Sequence, residues 1–182
     1  MRAMRFLAWF GGLPGIVTLL TATTAAQMGL IAFGNITDFG TNQAFVQHVF
    51  AMDTTFQSPN TMWRAITSPG VATAAYVLII AWEAVTAVVL AAGFVVWLRS
   101  VADQRRVVLA RQLSSAGWLM MVLLFAGGFI TVGGEWFQMW QSEQWNGLQP
   151  ALQNFLIASV GLLLTHLPAR ADRGVAAAAE DR

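Results

Sequence analysis

Four stretches of the chain are apolar for long enough to cross a bilayer, at about 12–34, 71–98, 114–136 and 150–167, and polar segments separate them. A helix rises about 1.5 Å per residue, so roughly 20 apolar residues match a hydrocarbon core about 30 Å thick. The second stretch carries a single charge, Glu83. Tyr76 and Trp97 lie roughly 31 Å apart along it and mark its two interfaces, as Trp118 and Trp136, roughly 27 Å apart, do for the third. Pro14 fits the first turn of span one, Ser68-Pro69 reads as an N-cap followed by a first-turn proline, and Pro150 opens span four. The pattern predicts an all-α membrane protein, a four-transmembrane-helix bundle.

Between the first two spans, residues 35–70 are too polar to cross. Within them, 41–52 puts Phe45, Val46, Val49 and Phe50 on one helical face and Asn42, Gln43 and Gln47 away from it, as in a helix that lies on the membrane or caps the bundle. Ser58-Pro59 opens a second short helix through Trp63, Arg64 and Ile66. These are the short amphipathic outer-face helices of the expected architecture. Residues 137–149 form a second polar loop in which Trp140 and Trp145 suit the interface. Residues 1–168 form one domain on this reading, and 169–182 a disordered cytoplasmic tail. The start imitates a secretory signal, but its apolar run continues through Met28, Gly29, Leu30 and Ile31 and is long enough to remain an anchor.

Composition narrows the class further. The chain of 182 residues is 57% hydrophobic and 10% charged, against roughly 25% charged in an average soluble domain. Every basic residue is an arginine, and all but Arg64 lie at the N-terminus, in the loop after span two or in the tail. The positive-inside rule therefore places both termini in the cytoplasm and the two polar loops outside. The absence of cysteine excludes disulfides, thiolate metal sites and thiol nucleophiles.

The chemistry gathers in two places. Glu83, Ala87 and Ala91 share a face at i, i+4 and i+8, with matching small-residue stripes at Gly127, Thr131 and Gly134 and at Thr18, Ala22, Ala25 and Gly29. At comparable depth Glu83, Gln27, Thr131 and Asn154 form an expected polar cluster within the membrane. A buried acid there costs on the order of 2.5 to 3.5 kcal/mol on insertion scales. Three offsets are available: a protonated acid bonded to Gln27 or a threonine, a pair with Arg64, or a bound cation. On the outer side, His48 and Met52 lie at i, i+4 and form a weak copper(I) set; no other metal site is expected. His48 and His166 lie on opposite sides of the membrane, so a bis-histidine haem is not expected, and neither is any other cofactor. No nucleophile elbow, HExxH or catalytic carboxylate pair is present, so no catalytic residue is assigned, and nothing suggests nucleic acid.

The segments HVFAMDTTFQSPNTMWRAITSP and GGEWFQMWQSEQWNG resemble the bacterial predicted small integral membrane proteins, a family defined only as a domain of unknown function. The distinctive positions are Met52, Asp53, Thr54, Met62, Trp63, Arg64, Glu83, Gly134, Glu135, Trp136, Phe137, Met139, Trp140, Trp145 and Asn146. The resemblance implies a four-helix inner-membrane protein and brings no reaction, substrate or cofactor. It also suggests that the 53–64 and 135–140 segments meet on the outer face, with Arg64 paired to Asp53 or Glu135. Two functions follow as expectations. The first is a non-enzymatic structural or accessory component, with the lipid bilayer and a membrane-protein partner or second copy around it. The second is a small oligomeric transporter or channel using Glu83 as a proton or cation carrier. A cavity from the outer face to Glu83 favours the second; a cluster sealed by Trp63 and Trp140 favours the first.

Overall fold

The computed structural model describes residues 9–167; the expected tail at 169–182 lies outside them. Helix α1 covers Leu13–Thr37, with Pro14 in its first turn. Before it, residues 9–12 fold back so closely that a Cβ on Gly15 would stand 2.3 Å from the Phe10 carbonyl oxygen. Helix α2 covers Phe39–Ala51, and α3 covers Pro69–Ser100 with Ser68 at its N-cap position. Helix α4 covers Val107–Val122 and continues without a break as a π-helical segment, Leu123–Trp136; α5 covers Leu148–His166. Short 3-10 turns stand at Met62–Arg64, Gln104–Arg106 and Met139–Gln141.

α1 lies along α3, α3 along α4 and α4 along α5, which touches α1 to close the bundle. Among the described residues four helices, the third of them α4 with its π segment, are long and apolar enough to cross a membrane. Side-chain distribution agrees with lipid as the surrounding solvent. Leu30, Leu78 and Leu163 are each 70% exposed, while Thr21, Thr86 and Ser114 are fully buried. In lipid the exposed leucines cost nothing, and small or hydroxyl residues let the helices approach closely.

Among the described residues the closest approaches between helices fall at two glycines. A Cβ on Gly117 would lie 2.5 Å from the Leu90 side chain, and one on Gly161 would lie 2.3 Å from the Trp118 ring. Trp118, Trp97 and Tyr76, read from their spacing as markers of interface depth, are core residues that point into the bundle.

The helix faces also differ from the expected i+4 stripes. On α3 the buried positions are Ala72, Tyr76, Glu83, Thr86, Leu90, Gly93, Trp97 and Ser100, while Ala87 is half-buried and Ala91 exposed. Steps of four advance about 400° and drift off the face, whereas alternating steps of three and four keep a 3.5-residue seam. In the third span the reason is different. There the backbone bonds i to i+5, as Phe137 N–H to Val132 O at 3.0 Å illustrates, so α-helical spacing no longer selects one face. Thr131 is exposed and donates to the Ala126 carbonyl at 2.9 Å, and a Cβ on Gly127 would meet nothing within 4 Å.

One end of the bundle is capped by α2 and by segments 52–68 and 137–147. Val46 and Val49 of α2 are buried, Val46 beside Tyr76 and Val49 beside Met52, Phe137 and Met139. Phe50 stacks on Phe137, Phe56 meets Trp140 edge-on, and Trp63 meets Trp136 edge-on. Through the last two ring pairs the 53–64 and 135–140 segments meet as expected, and a 2.8 Å bond between the Thr54 and Ser142 hydroxyls extends the contact. At the opposite end a hydroxyl network joins three helices. Thr21 donates its hydrogen to the Val17 carbonyl, so Ser114 donates to Thr21 (3.1 Å) and accepts the Trp97 indole N–H (3.0 Å).

Candidate functional site

Glu83 is 2% exposed, and its carboxylate accepts one side-chain bond, from Asn35 Nδ2 at 2.7 Å. Asn35 is at the C-terminal turn of α1 because that helix runs three residues past Gly34, where the apolar stretch ends. It continues the inward line Thr21, Thr24, Met28 and Ala32 at steps of three and four. Asn35 is also the hub of the cap. Its Oδ1 accepts from Asn42 of α2 at 2.8 Å, and its backbone carbonyl accepts the Tyr76 hydroxyl at 3.0 Å. A chain of polar groups therefore runs from a buried acid on α3 through α1 to the exposed Asn42.

Alongside this chain lies a cavity of about 260 Å³, bordered by Glu83, Asn35 and Asn42 on one side and by Phe129, Asn146 and Pro150 on the other. Asn42, Asn146 and Pro150 are exposed, so the cavity opens at the capped end of the bundle and has Glu83 in its wall. At roughly 30 Å³ per water it has room for several. The arrangement can hold a proton, a cation or a hydrogen-bond donor at a carboxylate removed from bulk water, because one carboxylate oxygen carries no other side-chain donor. Trp63 and Trp140 do not seal it; both are exposed and packed edge-on against Trp136 and Phe56 respectively.

The expected membrane cluster is divided in three. Glu83 bonds Asn35 rather than Gln27 or a threonine. Gln27 donates instead to Asn154 Oδ1 at 3.0 Å, a separate link between α1 and α5 in which Asn154 also donates to the Pro150 carbonyl. Thr131 stands outside, turned away by the π-helical register.

The expected ion pair is replaced by a different contact. The Arg64 guanidinium lies over the Trp136 ring at 5.0 Å and the Trp63 ring at 5.6 Å, and donates to the Trp136 carbonyl at 3.4 Å. Asp53 is taken by His48, with Nδ1 to Oδ2 at 2.7 Å, and the His48 ring stacks on Trp145. Glu135 is exposed and borders the same groove as Arg64 without pairing to it. Arginine's flat, weakly hydrated cation suits two indole faces, so the aromatic pair competes well with an exposed carboxylate.

His48 and Met52 do not share a face, because α2 ends at Ala51 and Met52 takes a left-handed backbone conformation. Met52 is buried among Val49, Phe137 and Met139. Among the described residues no group of three or more histidine and acidic side chains could hold a metal ion.

Reasoning from the sequence does not name Asn35, and it places Asn42 on a polar helix face and Asn146 in the family pattern without bringing either to Glu83. The signal for Asn35 is present in the buried stripe of α1; Asn42 and Asn146 are brought in only by the packing of the cap.

No curated protein and no solved structure matches the chain. The family comparison does: four spans joined through a cap made by two polar segments occupy nearly all of residues 15–168, the stretch matched by the family described as "Predicted small integral membrane protein (DUF2165)", and the chain belongs to that family.

Proposed function

We propose that the protein is a small, non-enzymatic carrier or channel of a bacterial inner membrane that takes a proton or small cation onto Glu83 from outside. The cavity that leads from exposed Asn42 and Asn146 to Glu83 carries this reading. The arginine distribution supports an outward cap and cytoplasmic termini, since Arg64 is the lone basic residue of the two capping loops. A membrane acid facing a water-accessible cavity is the usual mark of an ion or proton path. Beyond Glu83, Leu90 on Gly117 and Trp118 on Gly161 pack tightly, so passage to the cytoplasmic side requires these helices to separate or a second copy to complete the route.

The Asn35 bond favours a second reading, that of an accessory component in which Glu83 clamps α1, α2 and α3 and a membrane-protein partner supplies the activity. One variant separates the two. Glutamine at position 83 can still accept from Asn35, so Glu83→Gln keeps the clamp and loses the charge. In proteoliposomes with an interior pH dye, the carrier reading expects a proton or cation flux above empty vesicles that falls at least tenfold in Glu83→Gln, with helical content unchanged. Equal flux in the two proteins, or none in either, would refute it.

A further inference from the structure

The cavity beside Glu83 shares a wall with a second chamber of different chemistry. Phe45, Val46, Ile79 and Phe129 line both. The second chamber measures about 190 Å³, and its remaining border includes Val49, Leu124 and Met139, with no charged or amide side chain. It opens on the bilayer-facing side at Gly128 and Val132, both exposed. Where the shared side chains turn aside to join the two chambers, their combined volume falls in the range of small-molecule sites, which are mostly apolar with a few polar groups that fix orientation. An apolar protein cavity of about 150 Å³ holds a benzene-sized group.

The separation of the two halves sets the ligand's length. Ile79 is one helical turn from Glu83, about 6 Å along α3. A group at the carboxylate and an apolar body beside Ile79 are then joined by about two carbons. The head must donate hydrogen bonds or carry positive charge, because it meets a carboxylate. An inorganic ion is a poorer fit. Hard cations take six or more oxygens, waters included, and the side chains here offer few of them: Asn35 turns its N–H toward Glu83 and its oxygen is engaged by Asn42.

We propose that the substrate of this site is an amphiphilic organic ammonium, with its charged head on Glu83 and an aryl or short alkyl body in the chamber lined by Phe45, Ile79, Phe129 and Met139. This deepens the carrier reading and rests on it. Entry from the outer aqueous side or from the lipid at Gly128 are both open to such a molecule. Gly128 also supplies a handle for testing, because a Cβ there meets only Leu124 at 3.8 Å and a side chain can be added without a clash.

The test is calorimetric titration of the full-length protein in detergent micelles with three probes: phenethylammonium, ethylammonium and phenylacetate. Phenethylammonium should bind at least tenfold more tightly than either of the others, one lacking the body and the other reversing the charge. Glu83→Gln should abolish that preference over phenylacetate, and Gly128→Leu, which adds bulk at the exposed mouth of the apolar chamber, should reduce the preference over ethylammonium at least threefold. Micelle partitioning is common to all three proteins and cancels in these comparisons. Equal binding of ethyl- and phenethylammonium, both lost in Glu83→Gln and unaffected by Gly128→Leu, overturns the amphiphile and leaves the cation carrier standing. Indifference of all three probes to Glu83→Gln overturns both.

Discussion

Replacing Gly161 by alanine places one methyl group against a ring that has nowhere to go. The added Cβ would lie 2.3, 2.6 and 2.7 Å from three atoms at the fused edge of Trp118. Ordinary carbon contacts are about 3.5–4.0 Å, so α4 and α5 would have to part by roughly 1 Å or the indole would have to swing. Trp118 is fully buried and its rigid ring cannot yield as a flexible chain end would. Overpacking of this kind costs about 1–3 kcal/mol, and the rigid ring argues for the upper end; alanine's better helix propensity returns at most ~1 kcal/mol. The net expectation is a loss of about 2 kcal/mol, a shift of roughly 30-fold in the folded-to-unfolded ratio. The measurement is helical circular dichroism during titration of mild-detergent micelles with a denaturing detergent. Gly34→Ala is the internal control: nothing lies within 4 Å of its Cβ, so it should be neutral or slightly stabilising. Trp118→Leu in the Gly161→Ala background should regain part of the loss. If Gly161→Ala is as stable as Gly34→Ala, α4 and α5 do not meet through Trp118 and Gly161.

Further predictions follow from the polar contacts. Ser114→Ala removes the acceptor for the Trp97 indole N–H and the donor to Thr21 inside a buried layer, and should cost about 1–3 kcal/mol in the same titration; no change would mean that the network does not persist in detergent. Gln27→Ala and Asn154→Ala, singly and together, should give a coupling of about 0.6 kcal/mol and no more than about 1.7, and strict additivity would remove that α1–α5 link. Arg64→Lys keeps the charge but not the flat stack on Trp63 and Trp136. It should therefore be destabilised nearly as much as Arg64→Ala, by ~0.5–1 kcal/mol for each indole; full rescue by lysine would instead restore the ion-pair account.

Particular residues show where sequence patterning reaches its limit. Glu83 is legible as the buried acid from its isolation in an apolar run, and Phe45, Val46, Val49 and Phe50 fall on one face of the capping helix, where Val46 and Val49 are buried. The partner of Glu83 is not legible, because Asn35 sits after the last apolar residue of span one, where composition reads as loop. Arg64 goes astray for a related reason. Sequence offers charge as the natural partner of charge, but the packing of the cap lays the guanidinium over two indole faces while Asp53 pairs with His48.

Span number, apolar length and the amphipathic cap are properties of local composition, and the chain determines them by itself: about 20 apolar residues must satisfy their backbone internally once in lipid, and a helix does so. Which faces meet is a different matter. Every span is apolar nearly all round, so hydrophobic periodicity cannot point inward, and selection falls to shape: Leu90 against Gly117, Trp118 against Gly161, and the i-to-i+5 register that turns Thr131 outward. Tertiary packing alone therefore decided that Glu83 meets Asn35 beside an open cavity. The physical reason is that contacts in lipid are chosen by fit and hydrogen bonding, since greasy surface gains nothing by hiding from a greasy solvent.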